Sequence, residues 1–111
     1  MEDFSYIVEE YVTPAGKIPF REWLHSLRDI RARAKIRVRL NRIRLGNFGD
    51  ARPVGDGVYE LRINYGPGYR VYYARTGRYV ILLLCGGNKS SQKRDIAKAK
   101  AYFADYKQRQ K

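Results

Sequence analysis

The sequence predicts an α/β domain of the α+β kind, and three observations carry that reading. Apolar and polar residues alternate through Val58-Tyr-Glu-Leu-Arg-Ile63 and again through Gly68-Tyr-Arg-Val-Tyr-Tyr73, with Asn64-Tyr-Gly-Pro-Gly68 joining the two runs. Period-two alternation on both sides of a Gly/Pro turn is the pattern of a β-hairpin. Tyr79 to Cys85 is continuously apolar, as a strand covered on both faces must be. Three further segments space their apolar residues three and four apart, which lines one face of an α-helix.

In chain order, Phe4 to Val12 reads as an edge strand, broken by Thr13-Pro-Ala-Gly-Lys17, because Pro and Gly together favour a turn. A helix follows. Pro19 suits its first turn, and Phe20, Trp23, Leu24 and Leu27 form its apolar stripe. His25 lies off that stripe and is expected on the surface. Asp29 is an expected N-cap for a second helix running to about Leu45, with Ile36, Leu40 and Ile43 buried and Gly46 ending it. Asn47 to Gly57 reads as a loop rich in Gly, Asp and Pro. Then come the hairpin, a tight turn at Thr76-Gly-Arg78 and the apolar strand. Gly86 to Ser91 reads as a turn into a last helix beginning near Ser90 or Ser91. Ile96, Ala99, Phe103 and Tyr106 mark that helix's buried face, and Lys107 to Lys111 is expected to fray. The order is strand, helix, helix, three strands, helix, with residues 1–111 forming one domain.

Composition narrows the partners. Lys and Arg number 23 against 11 acidic residues, a formal net charge of +12. Such a field speeds encounter with polyanions and makes binding fall with salt. RNA, DNA and an acidic protein all fit. Ten tyrosines suit strand faces and can also stack on bases. Cys85 is the single cysteine, so no disulfide within the chain and no Cys/His zinc pattern is expected. The N-terminus lacks the basic and apolar regions of a signal peptide, and Val80 to Cys85 is too short to span a bilayer. A cytoplasmic location without membrane attachment is the expectation.

Two groups of residues carry candidate chemistry. Gly86 to Ser91 does not match the Walker phosphate loop, but free N–H groups at a helix N-terminus beside Lys89 can hold a phosphate. Arg62 and Arg70 fall on one face of adjacent antiparallel strands, where two guanidinium groups repel unless an anion joins them. Arginine is also the preferred bidentate clamp for phosphate. The plainer alternative pairs both with Glu60 in a surface network. Together with Lys89, the three cations can converge on one concave patch. RNA cleavage by attack of the 2′-OH needs that hydroxyl deprotonated, the phosphorane stabilised and the 5′-oxygen protonated. Arginine meets the second need, and a lysine crowded by cations can act as acid or base. His25 lies outside the patch. The second helix carries Arg31, Arg33, Lys35, Arg37, Arg39, Arg42 and Arg44 with no interleaved acid. This is either a solvated face or a stripe that tracks phosphates. Arg37, Arg44, Tyr72 and Gln92 are the candidate RNA-binding residues.

The run Tyr59-Glu-Leu-Arg-Ile63, then Gly68-Tyr-Arg-Val-Tyr-Tyr73, then Leu82-Leu-Leu-Cys-Gly-Gly-Asn-Lys89 with Asp95-Ile96 resembles the RelE/ParE toxin superfamily. It is most similar to the HigB-like, phage Gp49-related addiction-module killer proteins, which also carry an element like Phe20-x-x-Trp23-Leu24. The resemblance covers nearly the whole chain. It implies a RelE-like fold, a curved antiparallel sheet of about four strands with two N-terminal helices on one face and a C-terminal helix. It further implies the toxin of a type II toxin–antitoxin pair that cleaves mRNA on the ribosome without metal or other cofactor. The implied partner is an antitoxin with a helix-turn-helix DNA-binding domain, in a hetero-oligomer, the free toxin being a monomer. Arg70 matches the phosphate-stabilising arginine of RelE-like nucleases. Arg62 stands where relatives place a catalytic lysine or arginine, and Lys89 resembles the basic residue after the last strand. Where relatives carry a tyrosine or histidine near the C-terminus, this chain reads Ser91-Gln-Lys-Arg-Asp-Ile96, leaving Gln92 or Asp95 as substitutes. At Glu60 it is acidic where a relative is basic.

These readings make Arg62 and Arg70 the expected phosphate clamp and Lys89 the assistant in proton transfer or charge stabilisation. A non-enzymatic ParE-like inhibitor of DNA gyrase is the rival function. A degenerate toxin that only binds its antitoxin and operator is the third.

Overall fold

The computed structural model describes residues 5–110. Phe4 of the expected first strand, Lys111 of the expected tail and the first residues of the expected leaderless N-terminus lie outside that range. The elements are β1 (Ile7–Glu10), α1 (Pro19–Ser26), α2 (Ile30–Arg44), β2 (Ala51–Gly55), β3 (Val58–Ile63), β4 (Tyr69–Thr76), β5 (Val80–Asn88), a 3-10 turn (Lys89–Ser91) and α3 (Gln92–Arg109).

Local chemistry sets the helix ends. Pro19 opens α1, where its missing N–H costs nothing. Asp29 caps α2, its carboxylate accepting from the N–H groups of Arg31 at 2.9 Å and Ala32 at 3.3 Å, a contact of about 1 kcal/mol. Gly46 follows α2 with φ +87°, the left-handed conformation that ends helices.

The architecture departs from expectation in several places. The sheet has five strands in the order β1-β5-β4-β3-β2, not about four. It is mixed rather than antiparallel, because β1 pairs parallel to β5. The additional strand, β2, lies inside the expected loop 47–57. Pro53 is tolerated there because β2 is an edge strand paired on one side only. The helices divide between the faces. Phe20 and Leu24 of α1 and Ile36, Leu40 and Ile43 of α2 pack with Leu61, Ile63, Val71, Tyr73, Ile81 and Leu83. Ala99 and Phe103 of α3 pack on the opposite face with Val58, Tyr72, Ala74, Leu82, Leu84 and Cys85. Helices therefore cover both sides of the sheet. The last helix runs to Arg109, which pairs with Asp105 and donates to the Val12 carbonyl oxygen. Residues 107–109 are helix, not fray.

β5 also extends beyond the expected Cys85 to Asn88, so Gly86 and Gly87 are strand residues rather than a turn. A bulge relative to β4 lies between the Tyr72–Cys85 and Tyr73–Leu83 pairs, and it shifts the in-and-out parity of the strand beyond it. Leu84 and Cys85 both join the cluster under α3. Gly86 then meets the Trp23 ring of α1, and Gly87 meets the Asp95 carboxylate of α3; a Cβ on either glycine would overlap those groups. Each glycine is present because another side chain lies against the strand.

Candidate phosphate-binding cleft

β3 and β4 run antiparallel with Val58 opposite Ala74, Glu60 opposite Tyr72 and Arg62 opposite Arg70. All six face α3. The alternation legible in the sequence is present, but its polar face is covered by the start of α3. Glu60 and Tyr72 are fully buried, and Arg70 is only 6% exposed.

Glu60 is the hub. One carboxylate oxygen accepts from Arg62 Nε at 2.8 Å. The other accepts from the Tyr72 hydroxyl at 3.0 Å and from Gln92 Nε2 at 2.8 Å, and Arg70 Nε lies 3.6 Å from it. Burial by itself would raise the Glu60 carboxyl, but hydrogen bonds from Arg62, Gln92 and Tyr72 outweigh burial and hold it below the ordinary 4.5. The bond to Glu60 in turn raises the Arg62 guanidinium. Burial, followed by the Glu60 charge, pushes the Tyr72 phenol far upward.

Arg70 is less completely served. Its Nε is buried without a hydrogen-bond partner, since 3.6 Å is an ion-pair distance rather than a hydrogen bond. Its guanidinium passes beside Gly68, where a Cβ would stand 3.6 Å from Arg70 Nη1 and 3.4 Å from Lys89 Cβ. Gly68 has φ +81°, so this turn accommodates glycine where a larger residue would be strained.

Arg62, Arg70, Lys89 and Gln92 line one open cleft of about 630 Å³, with Asp50 and the loop 64–68 on its rim. The structure thus brings the three expected catalytic cations together. It also inserts a carboxylate between two of them, in a buried network where a surface one was the alternative. Lys89 is exposed and pairs with no carboxylate among the described residues.

The other candidates fall elsewhere. Tyr72 is fully buried in the cluster under α3 with its hydroxyl on Glu60, so its ring is closed to a stacking base. Gln92 is half-buried and anchors Glu60. Arg37 and Arg44 are exposed on the other edge of α2, where they line a separate hollow with Glu10 and Arg21. Asp95 is buried, accepts a short hydrogen bond from the Ser91 hydroxyl and presses against Gly87. It ties α3 to β5 and does not reach the cleft lining. Asn88 caps the 3-10 turn, accepting from the Ser90 N–H at 2.9 Å. The expected phosphate loop is therefore capped by its own side chains. His25 is exposed on α1. Glu60's role as counter-ion was foreshadowed by its position two residues before Arg62, and nothing in the sequence marked it as buried. No group of three or more His, Cys, Asp or Glu among the described residues is placed to hold a metal ion. No described helix is long and apolar enough to cross a membrane.

Residues 22–104 match the family described as phage-derived protein Gp49-like (DUF891). A Haemophilus influenzae protein described only as uncharacterized is 49% identical over 83 residues, which span 75% of this chain and 84% of that relative.

Proposed function

The chain belongs to the phage-derived Gp49-like family, which is related to RelE/ParE-type toxins, and from that membership we propose that it is a toxin that cleaves mRNA on the ribosome. The observation that carries this reading is Arg70. A buried guanidinium with an unsatisfied Nε opens into a cleft that also holds Arg62 and Lys89. A phosphodiester is the anion whose geometry suits that fork.

In this reading the 2′-hydroxyl gives its proton to water as its oxygen attacks phosphorus, while Arg70 and Arg62 bind the scissile phosphate and stabilise the charge that grows on its oxygens. The bond to the 5′-oxygen breaks, giving a 2′,3′-cyclic phosphate and a 5′-hydroxyl. Lys89, exposed at the rim, supplies a proton or positive charge to the departing oxygen. Glu60 fixes the arginine beneath the phosphate and prevents two like charges from splaying apart. No metal or other cofactor has a part in this scheme. The protein would act in the cytoplasm, held inactive by a helix-turn-helix antitoxin in a hetero-oligomer.

Expression in a translating extract, with mapping of message 5′ ends, tests the reading. New ends within translated frames are expected. Arrested synthesis with intact messages would reject it. Glu60 also favours a second reading, because it already engages both arginines: a ParE-like inhibitor of DNA gyrase without nuclease activity. Under that reading a supercoiling assay is inhibited, and Arg70→Ala still arrests growth.

A further inference from the structure

A groove of about 450 Å³ continues from the cleft along α2. The two share Asp50, Arg62, Asn64 and Tyr65. The helix wall is Lys35, Val38, Arg39 and Arg42, spaced i, i+3, i+4 and i+7 and hence one stripe.

These side chains have different duties. Arg39 fastens the wall, its Nη1 donating to the Arg62 carbonyl oxygen at 2.7 Å. Burial, then the neighbouring Arg42, lowers its guanidinium pKa. The groove is thereby tied to the strand that carries Arg62. Lys35 and Arg42 are exposed and pair with no carboxylate among the described residues, and α2 contains no acid. They stand about 10 Å apart along the helix. Tyr65 is fixed between them and the cleft. The neighbouring Asp29 carboxylate, the α2 cap, raises its phenol pKa, and Lys35 Nζ lies 5.1 Å from its ring centre. Val38 is 47% exposed, an apolar surface beside that ring.

We propose that this groove is a second nucleotide subsite for single-stranded RNA. A base adjacent to the scissile phosphate lies against Tyr65 and Val38, and its backbone runs between Lys35 and Arg42. Cations flanking a fixed aromatic ring are the combination that holds single strands. Asp50 repels phosphate, which leaves the α2 side of the groove to the backbone and the loop side to the base. In taking RNA as ligand, the proposal rests on the nuclease reading.

Fluorescence anisotropy with a labelled 12-nucleotide single-stranded RNA and the full chain tests it. Lys35→Glu with Arg42→Glu should weaken binding more than tenfold and reduce the salt slope by about 1.4, two phosphate contacts' worth. Arg78→Glu with Lys107→Glu changes the net charge equally, but at the far end of the sheet, and should weaken binding much less. Tyr65→Ala should cost at least about fivefold. Tyr65→Phe, which keeps the ring and loses only the hydroxyl, should bind as the parent does. Equal losses from the two charge-reversed pairs, equal losses from Tyr65→Ala and Tyr65→Phe, or RNA binding no tighter than poly-glutamate or duplex DNA would overturn the subsite. Message mapping separates its failure from that of the nuclease reading. If messages are cut and the Lys35/Arg42 variant binds and cuts as the parent does, the groove fails alone. If messages stay intact while RNA affinity falls as expected, the nuclease reading fails alone.

Discussion

Beneath α3, one face of one hairpin changes character within three cross-strand pairs. At Val58 and Ala74 it is apolar, sealed by Ala99 and Phe103. At Glu60 and Tyr72 it is still fully buried but polar, and at Arg62 and Arg70 two cations stand opposite each other. The first end stabilises the fold in the ordinary way, by removing apolar surface from water at about 25 cal/mol per Å². The second end costs stability, because a buried carboxylate loses hydration and like charges opposite one another repel. Continuing the apolar pattern would give a sturdier sheet. The difference marks the arginine end as the part of the face organised around the Glu60 carboxylate.

The comparison can be broken most severely at its apolar end. Phe103→Ala, which uncovers Val58 and Ala74, should cost about 3–5 kcal/mol in urea unfolding, while on the nuclease reading the rate of message cleavage per folded molecule stays near that of the parent. A large fall in that rate would mean that the two ends are not separable.

At the polar end, Glu60→Gln keeps the shape and removes the charge, leaving the two arginines without a counter-ion. A smaller loss of about 1–3 kcal/mol is expected. The pH dependence sharpens this. The Glu60 carboxyl is held below its ordinary 4.5 in the fold, so its stabilisation is complete above that value and is lost as pH falls through the folded-state pKa. Unfolding midpoints measured from neutral pH into this acid range should fall less steeply in Glu60→Gln than in the parent. Parallel curves would remove Glu60 from its assigned place.

The smallest effect concerns Cys85, on the apolar side of the same face. Burial pushes its thiol up to about 12, so iodoacetamide at pH 8 should leave the native chain unmodified and label it fully in guanidinium. Rapid labelling of the native chain would show that α3 lifts from the sheet.

Much of this layout was legible in the sequence. Alternation assigned Glu60, Arg62, Arg70 and Tyr72 to one side of the hairpin because strand side chains repeat every two residues. It could not say whether that side met water or a helix, so Tyr72 reads as an RNA-binding residue when it is buried under α3. β2 was missed because Pro53 and Gly55 are turn residues in isolation, and only an edge position makes them acceptable in a strand. Gly86 and Gly87 read as a turn for the same reason. Their place in β5 is set by the Trp23 ring and the Asp95 carboxylate, contacts that no local pattern contains. The cations of α2 were visible as a group, yet which edge adjoins the cleft depends on how α2 rotates onto the sheet. That rotation puts Lys35 and Arg42 along the groove that adjoins the cleft, and Arg37 and Arg44 along a separate hollow.

The most direct test of the cleft is the single-turnover cleavage of a message in programmed ribosomes by the parent and by Arg70→Ala. Glu60 keeps Arg62, Gln92 and Tyr72 as partners in that variant, so its urea midpoint should stay close to the parent's. The account predicts cleavage slower by about 10²–10³-fold, the usual scale for removing one preorganised stabiliser of transition-state charge. Undiminished cleavage by a well-folded Arg70→Ala protein would contradict it.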